Sequence, residues 1–122
     1  MTAKQLEALE RKLAAMGYTK YSGRIPIQRE DYHWGKGFEH YKINSGLTPA
    51  YQVFFLVYDW RKFGDRAVGG FKKNQIGVTI VIAMGNWYNG RAELELTEDR
   101  DVPKIEKVAK SYYEWVKENL NN

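Results

Sequence analysis

Tyr51-Gln52-Val53-Phe54-Phe55-Leu56-Val57-Tyr58-Asp59-Trp60 and Gln75-Ile76-Gly77-Val78-Thr79-Ile80-Val81-Ile82-Ala83-Met84 are the two most apolar runs of this chain. Both are dense in β-branched and aromatic residues, and neither contains proline. Their length and composition predict two strands in the middle of a sheet. Residues 51–60 are apolar in both phases of the alternation, Tyr51, Val53, Phe55 and Val57 in one and Phe54, Leu56, Tyr58 and Trp60 in the other. Such a strand needs cover on both faces, whereas two helices cover only one face of a single sheet. On the second face, these aromatic residues meet either the chain's own loop or another molecule.

Between the two runs lies residues 61–74, long for a hairpin loop. It carries Arg61, Lys62, Arg66, Lys72 and Lys73 against the single acid Asp65, with Phe63 and Phe71 among them. Gly64 to Gly70 echoes a phosphate-binding loop. The pattern lacks its lysine and its hydroxyl residue, so that reading fails. Beyond the second run, Asn89-Gly90 is a hairpin-turn signal. Residues 91–97 then alternate Ala92, Leu94 and Leu96 inward with Arg91, Glu93, Glu95 and Thr97 outward.

Upstream, residues 32–43 read as a strand in which neither phase is purely apolar. Gly35 and Gly37 predict a bulge, which would switch its phase midway, or a close backbone approach, and Asn44 to Pro49 reads as a loop. Residues 18–28 read as an edge strand, because Pro26 donates no ladder hydrogen bond. Two helices flank the sheet. The first, over 2–16, has Leu6, Leu9, Leu13 and Met16 on one stripe, a Thr2/Gln5 capping box and Gly17 as its stop. The second starts at Val102-Pro103 after a run of acids, with Ile105, Val108, Tyr112, Trp115 or Val116, and Leu120 as its buried stripe.

The order helix, five strands, helix predicts a single α+β domain of two layers across residues 1–122. Its sheet is a mainly antiparallel meander, and both helices lie on one sheet face. With 122 residues there is room for one core, and 43% hydrophobic and 28% charged content exclude disorder. No apolar run reaches the length of a membrane span. The absence of cysteine excludes disulfides and thiol chemistry. With no secretory h-region either, the expected location is the cytoplasm.

Catalytic chemistry finds little support. His33 and His40 are the only imidazoles, and they fall on opposite faces of a regular strand, so no metal site and no cofactor are expected. Asp59, inside an apolar run but next to Trp60-Arg61, reads as a solvated or Arg-paired strand end. Serines 22, 45 and 111 lie in no nucleophile-elbow context.

What remains is a basic, aromatic surface on a chain of net charge +4. Aromatic and basic residues interleave at Trp34, Lys36 and Phe38, and again through Arg61, Lys62, Phe63, Arg66, Phe71, Lys72 and Lys73. The expectation is a non-enzymatic protein-interaction module, an adaptor or accessory protein. It docks a protein, a second copy of the chain being one candidate, through an aromatic sheet face and the basic loop. The alternative is an RNA- or single-strand-binding protein that uses the same residues for stacking and phosphate contact. Glu93, Glu95, Glu98, Asp99 and Asp101 form an acidic stretch of opposite sign, which reads as a solvated charge mixture or, if it lies apart from the basic loop, as a basis for self-association or docking on a complementary protein.

Overall fold

The computed structural model describes residues 1–22, 30–59, 61, 76–84, 92–96 and 101–120, with 92–96 and 120 described as backbone. Helix α1 (Ala3–Ala15) begins on the expected capping box: Gln5 N–H donates to Thr2 Oγ1 at 3.1 Å, and Thr2 N–H donates to Gln5 Oε1 at 2.8 Å. It stops at Gly17, whose φ of 89° an L side chain rarely adopts. Strands β1 (Thr19–Tyr21) and β2 (Tyr32–Phe38) follow, then a separate hairpin of β3 (Tyr41–Ile43) and β4 (Gly46–Thr48). The two core runs are β5 (Tyr51–Asp59) and β6 (Ile76–Met84), succeeded by β7 (Ala92–Leu96) and helix α2 (Val102–Leu120).

The main sheet has five strands in the order β1-β2-β5-β6-β7, and every pairing in it is antiparallel. It is the meander the sequence predicts, with the β3–β4 hairpin inserted between its second and third strands. The β5/β6 register pairs Tyr51 with Met84, Phe55 with Ile80 and Asp59 with Ile76. This puts Val53, Phe55 and Val57 on one face beside Val78, Ile80 and Ile82. All six are buried there with Leu9 and Leu13 of α1 and with Val102 and Ala109 of α2. Both helices therefore lie on that face. Burying each such side chain is worth about 1.5–3 kcal/mol, so this layer holds the fold together.

The second face has its own apolar cluster. Phe54, Leu56, Val81 and Ala83 are buried together, with Tyr58 half-buried beside them. The double-sided apolarity of residues 51–59 is thus satisfied within a single chain.

Three details differ from the sequence reading. The expected strand 32–43 ends at Phe38, because Glu39 takes a positive φ of 50° and turns the chain out of the sheet. The β2/β5 ladder runs unbroken through Gly35 and Gly37, paired with Phe54 and Gln52, so the glycines mark no bulge. In α2, Val108 is exposed and Val116, not Trp115, continues the half-buried stripe, because the helix turns those two residues off the sheet. Pro26, the loop after Arg61 and the Asn89-Gly90 turn lie outside the described residues.

Candidate functional site

The ten candidate residues fall into two groups. Lys62, Phe63, Arg66, Phe71, Lys72 and Lys73 lie outside the described residues, whereas Trp34, Lys36, Phe38 and Arg61 are placed. The first three of these share a face because they alternate along β2. Their register partners Phe55, Val53 and Tyr51 show that it is the helix-side face. Each meets its own chain. Trp34 donates its indole N–H to Glu10 Oε2 of α1 at 2.7 Å. Lys36 Nζ donates to the Met16 carbonyl at 2.8 Å, where the cation caps the negative end of the α1 dipole. Phe38 stacks on Tyr51 with centroids 5.1 Å apart and planes 5° apart, and Tyr51 in turn stacks on Tyr113 of α2.

These residues line a half-buried aromatic row under the helices. The Lys36 ammonium stands 5.1 Å from the Phe38 centroid and 5.6 Å from that of Tyr18. Tyr18 donates to Glu106 Oε2 at 2.8 Å, joining the end of α1 to α2. Burial, reinforced by the hydrogen bond to Glu106 and its negative charge, pushes the Tyr18 hydroxyl well above the usual tyrosine range. Burial likewise raises Tyr32, with Glu10 adding charge and a hydrogen bond. Both hydroxyls stay protonated as donors at neutral pH, so the row ties helix to sheet.

Arg61 belongs to the other end of β5. Its Nε and Nη2 meet Asp59 Oδ1 and Oδ2, each at 2.9 Å, which is the Arg-paired strand end expected from the sequence. Phe38 pairs with Tyr51 at the start of β5, eight residues before Asp59. At about 3.4 Å per residue the two ends stand about 27 Å apart. The β2 group and Arg61 do not form one site.

Among the described residues, no three His, Asp or Glu side chains are grouped so that they could hold a metal ion. His33 is buried on the second face with Nδ1 3.7 Å from Glu30 Oε2, and it stacks on Tyr21. His40 is exposed at the foot of the hairpin.

The hairpin itself is what the sequence reading missed. Tyr41 pairs with Thr48 and Ile43 with Gly46 across the two-residue turn Asn44-Ser45. Both turn residues have positive φ, 50° and 66°, as a type I′ turn demands. Asn44 was the legible signal, obscured because β3 has only three residues. Pro49 and His40 sit over Gly37, where a Cβ would meet Pro49 Cβ at 2.7 Å, so the hairpin's foot rests on the second face of the sheet. Above that foot, Tyr41, Ile43 and Leu47 are 44%, 49% and 69% exposed. Among the described residues, β3 and β4 pair only with each other.

Comparison of the chain with protein-family models, with curated proteins and with solved structures finds no match.

Proposed function

We propose that the protein is a non-enzymatic interaction module that docks a protein partner through the β3–β4 hairpin. One observation carries this reading: a two-stranded ribbon outside the main sheet exposes an aromatic and two aliphatic side chains, none of which the core uses. Isolated hairpins are marginal in water, and exposed apolar groups on one are costly unless a partner covers them. A ribbon whose strands pair, among the described residues, only with each other also offers main-chain groups for strand addition, with alternate side chains supplying specificity. The rival reading, stacking of single-stranded nucleic acid on Trp34 and Phe38, is weakened because both are engaged beneath the helices.

A photo-crosslinking side chain in place of Leu47, with a second preparation carrying it in place of exposed Glu7 on α1, tests the reading in the cell of origin. A discrete protein adduct from position 47 alone, lost when Tyr41 and Ile43 are both changed to Ser, is the expected result. Equal adducts from both positions, adducts to nucleic acid, or none would overturn it.

A further inference from the structure

Helix α2 carries two apolar stripes. Val102 and Ala109 are buried in the core and Tyr113 stacks on Tyr51, so one stripe packs on the sheet. Ile105, Val108, Tyr112 and Trp115 make the other, at spacings of three, four and three residues, the alternation of a helix-pairing seam. Ile105 and Tyr112 are half-buried at the margin of the core, whereas Val108 is 51% and Trp115 58% exposed. A single exposed apolar residue needs no partner. Two of them, continuing one seam, mark a docking face.

The charges along the same helix say what covers it. Ser111 is exposed at the middle. Val108 and Trp115 lie three residues before it and four after, Lys107 and Glu114 four before and three after, and Lys104 and Glu118 seven on either side. All six are exposed. By helical rotation, Lys104, Ser111 and Glu118 fall within about 20° of one line. Val108 and Trp115 stand about 40–60° to one side of that line, and Lys107 and Glu114 about 40–60° to the other. The basic residues of this arc thus precede Ser111 and the acidic ones follow it. Turning the helix end for end about Ser111 exchanges apolar with apolar and basic with acidic.

We propose that α2 pairs antiparallel with α2 of a second copy of the chain, about a two-fold axis at Ser111. An axis perpendicular to both helices sets the same flank of each copy together. Val108 of each copy then packs on Trp115 of the other. Lys107 of each meets Glu114 of the other, and Lys104 stands opposite Glu118. Ser111, facing its own equivalent, is small enough to let the helices approach. Parallel pairing is disfavoured, because it opposes Lys107 to Lys107 and Glu114 to Glu114. The seam runs about 21 Å from residue 104 to residue 118, short for a stable interface, so the dimer is weak and depends on concentration.

The full-length protein is followed by sedimentation equilibrium from about 1 to about 500 μM, the range open to a small interface. A monomer–dimer equilibrium is expected. Trp115→Ser should weaken it about tenfold, as loss of an apolar anchor does. Lys107→Glu alone sets acid against acid twice in the dimer, and Glu114→Lys alone sets base against base. Each should self-associate about fivefold more weakly, exposed charge pairs being individually modest. Mixed in equal amounts, the two charge variants should associate again, because both contacts of the heterodimer are opposite in sign. Circular dichroism checks that every variant keeps its helices. A monomer throughout, a dimer indifferent to Trp115→Ser, or charge variants that mixing does not rescue would overturn the proposal. So would a dimer lost on changing Tyr41 and Ile43 to Ser but not on changing Trp115, which would assign self-association to the hairpin. Docking through the hairpin uses a different surface and is decided by its own photo-adduct.

Discussion

Gly35 shows how one residue shapes the second face of the sheet. A Cβ there would lie 2.8 Å from both Cδ1 and Cε1 of Phe54, a buried ring that packs edge-on against His33. Gly35→Val should therefore cost about 1–3 kcal/mol in urea unfolding, through overpacking. Tyr18 governs a different property. Its folded pKa is raised above the unfolded value near 10, so its contribution is complete below about pH 10 and is lost as pH rises further. Stability measured from pH 8 to 12 should fall above about pH 10. Tyr18→Phe should make that fall shallower, because one proton fewer is released on unfolding. An unchanged slope would mean that the hydroxyl titrates normally in the folded protein. The sequence marked Gly35 as a bulge or a close approach, and the second holds: the Phe54 ring of the neighbouring strand, 19 residues on, packs against its backbone, a partner that periodicity does not encode.

At the level of elements, the apolar and periodic segments were legible. The capping box, the Gly17 stop, β5, β6 and the start of α2 follow from local chemistry alone. What the sequence hid was decided by tertiary geometry. Val108 fits a 3.6-residue stripe as well as Ala109 does, and only the position of the sheet buries one and exposes the other. Ile80→Ala should cost about 2–5 kcal/mol through lost transfer energy and a cavity, whereas Val108→Ala should stay within about 0.5 kcal/mol. Equal costs in chemical denaturation would contradict the helix orientation described. The same contrast applies to the hairpin. Changing Tyr41, Ile43 and Leu47 together to Ser should lower stability by about 1 kcal/mol or less, since all three are exposed. A loss of several times that would show that the hairpin holds the fold rather than serving a partner.

For the whole molecule, the aromatic and basic residues that caught the eye in the sequence split into separate roles. Trp34, Lys36 and Phe38 tie the sheet to the helices, and Arg61 braces the far end of β5 through Asp59. Their interleaving on β2 resembles a stacking platform because half-buried aromatic residues and the lysines that cover them have the same composition as one. Among the described residues, outward-facing apolar groups lie elsewhere, on the β3–β4 hairpin, at Tyr21 of β1 and at Val108 and Trp115 of α2. Docking through the hairpin rests on apolar and main-chain contacts, whereas phosphate contacts weaken steeply with salt as counterions are released. The most direct measurement is the yield of the position-47 photo-adduct at about 50 and about 300 mM salt, with and without nuclease. A protein adduct whose yield is nearly unchanged across both conditions is predicted. A yield that collapses with salt or with nuclease would contradict docking through the hairpin and return the function to nucleic acid.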